Sequence, residues 1–395
     1  MASSVRLASS QVDLLNLIRG MGAQLVLIGH ASHAYWSSVN PRGRLETFGV
    51  LIFFLLSGFL IASSVLQKWQ RNDYRFEHYL IDRFCRIFVA YVPALVLVAA
   101  ADAAMRGNAE FPYQDNESLW TWLGNLAMLQ EYPVFQILRR LGSLNGSWSI
   151  EIFGSGRPFW TVAIEWWIYL FFGYLAFFVL RGRRLTARNL AILGVLGVVP
   201  AYNAMGGTGD CLTFVWIIGA LFALLQNWLV GRARRERGSN SSLKFPIVCI
   251  LGIAVSACLL AGRIVKTELA VYDLQFALFA AGILFGLFFL AGSTDLKLPL
   301  PLRRAVDFLA AFSYSLYLVH YTVLTMFAIY FPSSSRYDPS KLLMVFVLAN
   351  VVGIIFWGVF EKHHHAIAEL AKSMLGRRRR KSGTQTELVE SLPRG

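Results

Sequence analysis

Ten stretches of roughly twenty mostly apolar residues recur between residues 11 and 361, with no long polar block between them. A helix rises 1.5 Å per residue, so about 20 such residues span the ~30 Å hydrocarbon layer of a bilayer. This recurrence predicts one all-α integral membrane domain of about ten transmembrane helices. Composition points the same way. Of 395 residues, 56% are hydrophobic and only 15% are charged, whereas a soluble chain carries about 25% charged residues. That balance argues against a water-soluble two-domain enzyme.

The predicted spans are approximately 11–36, 48–67, 87–105, 159–180, 189–204, 211–230, 245–262, 270–291, 307–331 and 341–361. The fifth is the weakest, being short and ending near Pro200. Residues 119–129 are too few to cross and are expected to form an interfacial or re-entrant helix within a long loop. Charge supplies an independent test, because cytoplasmic loops of membrane proteins are enriched in Lys and Arg. With the N-terminus inside, 26 of the 37 Lys and Arg fall on the cytoplasmic side and 10 on the other, with Arg19 inside the first span. Ten crossings with both termini cytoplasmic are therefore expected. The first segment carries Asp13, Arg19, His30 and His33, which a cleaved leader would not tolerate, so the chain is expected to keep it.

The formal net charge of +14 reads as topology rather than as a nucleic-acid footprint. The run Arg377 to Lys381 belongs to a basic tail, residues 363–395, expected to be disordered and to anchor on anionic lipid. Residues 1–362 form the membrane domain. Cys85, Cys211, Cys249 and Cys258 lie in or beside apolar segments without Cys-x-x-Cys spacing, which suggests packing residues and neither disulfides nor a metal site.

Ionisable side chains inside a span are costly and face a cavity or a partner. Arg19 and His30 are eleven residues apart, which at 100° per residue places them on one helix face about 16 Å apart along the axis. His33 follows one turn later, either as a cavity group or as an interfacial side chain beside Tyr35 and Trp36. In the fourth span Glu165 lies at a depth similar to that of His30. A carboxylate accepting one imidazole N–H would leave the other nitrogen free as a base, so contact between Glu165 and His30 is expected, either as a catalytic pair or as a buried structural one. The ninth span contains Ser313-Tyr314-Ser315-Leu316-Tyr317-Leu318-Val319-His320, whose polar groups either line a cavity or join helices by hydrogen bonds. Arg83 and Arg86, at i and i+3, form a guanidinium pair suited to phosphate, or simply mark the cytoplasmic side. Asp102 and Asp273 are near span ends and are expected to be solvated.

Five motifs in order resemble the bacterial acyltransferase family 3. Its Arg-x10-His matches Arg19 and His30. Its Ser-Gly-Phe segment matches Ser57-Gly58-Phe59, and its Arg-x-x-Arg matches Arg83 and Arg86. Its Trp-Ser/Thr-x-x-x-Glu-x-x-x-Tyr matches Trp160, Thr161, Glu165 and Tyr169. Its Ser-Tyr-x-x-Tyr-Leu-x-His matches Ser313, Tyr314, Tyr317 and His320.

The resemblance implies a multi-pass enzyme of the bacterial inner membrane that moves an acyl group, typically acetyl, from cytosolic acyl-CoA to a hydroxyl of a surface carbohydrate or glycolipid. It implies His30, Glu165 and Arg19 as catalytic residues, with Arg83, Arg86 and Ser57 at the donor. His33, Trp160, Tyr169, Tyr314, Tyr317 and His320 are expected around the polar cavity. Acetyl-CoA would be a co-substrate, and no bound cofactor or metal is expected. Some members carry an added hydrolase-like domain. None is seen in this sequence, so acceptor binding is expected to fall to the spans, the 106–158 loop or a partner. The competing reading is a transporter or flippase of a lipid-linked sugar or small molecule.

Overall fold

The computed structural model describes residues 7–36, 44–69, 71, 73–140, 150–181, 186–235, 244–266, 272–293, 298–333, 335 and 337–376. These are helical almost throughout, with no named strand among them. In order they are α1 (Ser9–Tyr35), α2 (Arg44–Lys68), α3 (Phe76–Met105), α4 (Leu119–Leu126), α5 (Pro133–Arg140), α6 (Phe159–Tyr174), α7 (Ala187–Ala204), α8 (Leu212–Arg235), α9 (Lys244–Lys266), α10 (Leu274–Ser293), α11 (Leu300–Ala311), α12 (Ser313–Tyr330) and α13 (Pro339–Val359). A short turn at Glu361–His363 leads into α14, residues 364–376. Eight helices are long and apolar enough to cross a membrane, or nine if α11 and α12 form one bent span. The protein is a multi-pass membrane protein. The weak fifth segment is helical as α7 but is not among those eight.

Three boundaries differ from the sequence reading. The span 307–331 is two helices meeting at 57°. Phe312 leaves helical geometry at ψ 3°, and the Ser313 hydroxyl donates to the Ala310 carbonyl, giving the backbone a competing local bond. The third span starts eleven residues earlier than expected, so Arg83 and Arg86 are on α3 itself. Part of the expected tail, residues 364–376, is helix; the basic run 377–381 is outside the described residues.

α1 is the central element, touching α2, α10, α11, α12 and α13. Its polar positions are matched by these neighbours. Asp13 pairs with Arg303, Asn16 donates to Asp307, and Gln24 exchanges amide bonds with Asn350. Pairing of this kind keeps a polar stripe in the bundle rather than against lipid. α2 packs closely on α8 because Gly58 and Gly219 leave room for backbone contact. A Cβ on Gly58 would overlap the Trp216 carbonyl, and one on Gly219 the Leu55 carbonyl.

Asp102 corrects another expectation. It is fully buried rather than solvated, and accepts bonds from the Ser155 amide and hydroxyl at 2.8 and 2.5 Å. The loop before α6 is thereby tied to α3, and Gly154, at φ +48°, permits the approach because a Cβ there would strike the Asp102 carboxylate. Asp273 is paired with Arg263 at 2.6 Å. Cys85, Cys211 and Cys249 are buried free thiols, while Cys258 is exposed.

Candidate active site

α1, α2, α3, α6, α12 and the segment after α13 enclose a cavity of about 720 Å³. It extends from Lys68, Asp82 and Lys372, at the end of the bundle where α1 starts and α2 finishes, inward to Phe53, Thr161 and Tyr317. Six Lys or Arg and four Asp or Glu side chains line it, so the walls carry a cationic excess.

Its deep cations differ in their commitments. Arg86 is spoken for: its Nη1 donates to Glu361 at 2.6 Å and its guanidinium lies over the Tyr314 ring. The other Glu361 oxygen accepts the Ser315 amide and hydroxyl at 2.9 and 2.6 Å. Glu361 therefore caps the N-terminus of α12 inside the bundle while neutralising Arg86, a use of the positive helix end. Sequence reasoning passed over Glu361; its one signal was a carboxylate closing an otherwise apolar span. Arg19 and Arg83 are less engaged. Each has a buried Nε with no hydrogen-bond partner, so each keeps an N–H for an anion. Buried donors of this sort carry a desolvation cost until they are met.

The predicted site residues separate into two groups. Arg19, Ser57, Arg83, Arg86, Glu165, Tyr169, Tyr314 and Tyr317 share the cavity. Ser57 is held by the Trp216 indole N–H at 3.1 Å and by Tyr169 at 2.8 Å. Tyr169 in turn donates to the Glu165 carboxylate, four residues earlier on the same face of α6.

His30, His33, Trp160 and His320 do not line this cavity. His33 bonds Glu46 at 2.7 Å at the far end of α1 and α2, where it is half-exposed. Trp160 packs edge-on against Tyr272. His30 stacks on His320 with centroids 5.4 Å apart and meets Tyr321 edge-on at 5.1 Å. The expected contact between His30 and Glu165 is not formed, because Glu165 is turned to Tyr169 within its own helix. Likewise Arg19 and His30 do not border one open cleft. Arg19 and Tyr317 line the cavity and His30 does not; Tyr317 has its hydroxyl on Thr161 at 2.5 Å, Phe53 edge-on at 5.6 Å and the His320 ring, which His30 stacks on, at 5.9 Å.

His320 Nδ1 is 2.8 Å from the Tyr317 carbonyl and 3.2 Å from that of Leu316. Carbonyl oxygens only accept, so Nδ1 carries the hydrogen and Nε2 bears the lone pair. That Nε2 is buried without a partner, beside the His30 ring. The second imidazole, and not the carboxylate, is what tertiary structure delivers to His30.

Residues 12–361 match the family model for an acyltransferase domain, that of acyltransferase family 3. The chain belongs to the acyltransferase family 3. No curated protein and no solved structure matches it. The match begins within the first turn of α1 and closes on Glu361, so it takes in most of the cavity lining and the histidine pair. Among the described residues no three His, Cys, Asp or Glu side chains converge as a metal site.

Proposed function

We propose that the protein is an acyl-CoA-dependent O-acyltransferase of the bacterial inner membrane, moving an acetyl group to a hydroxyl of a surface carbohydrate or glycolipid. Ten crossings with both termini cytoplasmic would turn the cavity mouth to the cytosol. The observation that carries the reading is a cationic cavity opening at the end that bears the excess Lys and Arg and stopping one aromatic ring short of a stacked histidine pair.

CoA is anionic at its nucleotide end and uncharged along its pantetheine arm, which suits a cavity with Lys68, Lys362 and Lys372 at its rim and Phe53, Thr161 and Tyr317 at its inner end. Arg83 and Arg19 supply unpaired N–H groups along the path. The thioester would reach His30 by displacement of Phe53 and Tyr317. His30 then either removes the acceptor's proton, so that the alkoxide attacks the thioester carbonyl and expels the CoA thiolate, or takes the acyl group itself and passes it on. A donor N–H aimed at the developing oxyanion is worth roughly 3 to 4 kcal/mol, and Arg19 or the hydroxyls of α12 are the groups available.

Replacing His30 with alanine in the purified protein should abolish acyl transfer and the slow acceptor-independent hydrolysis of acetyl-CoA, with folding in detergent retained. Undiminished turnover by that variant removes the proposal. Acyl analysis of the cell's surface polysaccharide, with and without the protein, identifies the acceptor.

A further inference from the structure

The family match stops at Glu361, but the cavity wall continues. Lys362, His364, His365, Ala368, Glu369 and Lys372 all face it. Positions 365, 368 and 372 follow the i, i+3, i+7 rule of one helix face. Ile367, Leu370 and Met374 are exposed on the opposite face of α14. The helix is amphipathic, with an apolar side for the bilayer boundary and a polar side that forms the rim of the cavity.

The rim is built rather than incidental. Ala368 is buried, and Lys372 reaches Asp82 of α3 at 2.5 Å and Glu369 at 2.8 Å. Lys362 and His365 are exposed, and no ion pair holds Lys362 among the described residues. His364 donates Nδ1–H to the Glu361 carbonyl at 2.7 Å and lies tilted against the exposed His365 ring, centroids 4.0 Å apart. Further in, the unpartnered Nε groups of Arg83 and Arg19 continue the line of donors.

We infer that residues 362–372 are a donor-binding element that takes the phosphate-bearing nucleotide end of CoA, through Lys362 and His365, with Lys372 fixing the element to α3 through Asp82. The inference rests on the acyl-CoA reading above. The phosphates stay near water at the rim, and the uncharged pantetheine arm runs inward past Arg83 and Arg19 toward Thr161 and Tyr317. Lipid headgroups offer the same phosphate chemistry, but they approach from the bilayer side, where α14 presents Ile367, Leu370 and Met374 instead of cations. A concave site with inward cations fits a nucleotide conjugate.

The test is equilibrium binding of CoA and of 4′-phosphopantetheine, which lacks the nucleotide, to the full chain in nanodiscs of phosphatidylcholine alone. Both side chains of a Lys362→Gln/His365→Gln variant are exposed, so the fold should tolerate it. It should weaken CoA binding roughly tenfold, the scale of charge-assisted hydrogen bonds lost at a rim, and leave 4′-phosphopantetheine binding unchanged. Unchanged CoA affinity in the variant, or an equal loss for both probes, overturns the assignment while leaving the acyl-CoA reading in place. If the wild-type chain binds neither probe, the acyl-CoA reading falls and the assignment falls with it.

Discussion

His320 lies over His30 with ring planes 28° from parallel, and its own Nδ1 is fixed on backbone carbonyls of α12. The lone pair of Nε2 is thus committed before any substrate arrives. An asparagine at 320 can keep the N–H to the Tyr317 carbonyl but carries no imidazole lone pair. His320→Asn should fold, bind CoA as the wild type does and lose about 100-fold or more in turnover, the scale of a general-base contribution. Wild-type turnover from that variant would assign His320 to packing alone.

The two arginines of α3 should behave differently under the same substitution. The Glu361 side chain is only 2% exposed, so Arg86→Gln leaves a buried carboxylate without its cation, a loss of about 3 to 5 kcal/mol. A large fall in melting temperature is expected, partly recovered by adding Glu361→Gln. Arg83→Gln strands no buried anion, so melting should change little while the apparent Michaelis constant for the acyl donor rises. Equal melting of the two variants would contradict the division of labour between them.

Gly58 belongs to the Ser-Gly-Phe motif, yet its measurable role is contact between helices. Gly58→Ala drives a methyl into the Trp216 carbonyl and should cost about 1 to 3 kcal/mol, the usual price of overpacking. Because the Trp216 indole also holds Ser57, donor affinity should fall in the same variant. Thermal melting in detergent, read alongside CoA binding, checks both.

Glu131, between α4 and α5, is buried, and burial pushes its carboxyl from 4.5 up to about 7 despite a hydrogen bond from Thr208. A carboxyl raised in the folded state binds protons that the unfolded chain has released, so stability falls as pH rises from about 4.5 through about 7. Glu131→Gln should flatten this part of the stability profile and raise the melting temperature at pH 8. A wild-type melting curve without that slope, or a variant that keeps it, would show that Glu131 is not the group responsible.

The sequence determined the membrane class, because apolar runs of crossing length permit no other solvent, and it determined the motif residues of the cavity. Arg19, Arg83 and Glu165 were legible from their placement on single helices, since a helix face is a local property, whereas Tyr169 and Tyr317 were marked as cavity residues by the family resemblance. What those residues touch was not local. Glu165 and His30 were expected to meet, but Glu165 accepts from Tyr169 on its own helix and His30 stacks on His320. His320 reaches His30 only through the packing of α12 on α1, and Glu361 reaches both Arg86 and Ser315 from a third segment. The break at Phe312 carried no proline signal, since a serine hydroxyl and a distant carboxylate produce it together. Sequence periodicity fixes which side chains share a face, whereas the rotation and bend of each helix depend on contacts between residues hundreds of positions apart, and only the folded bundle resolves them.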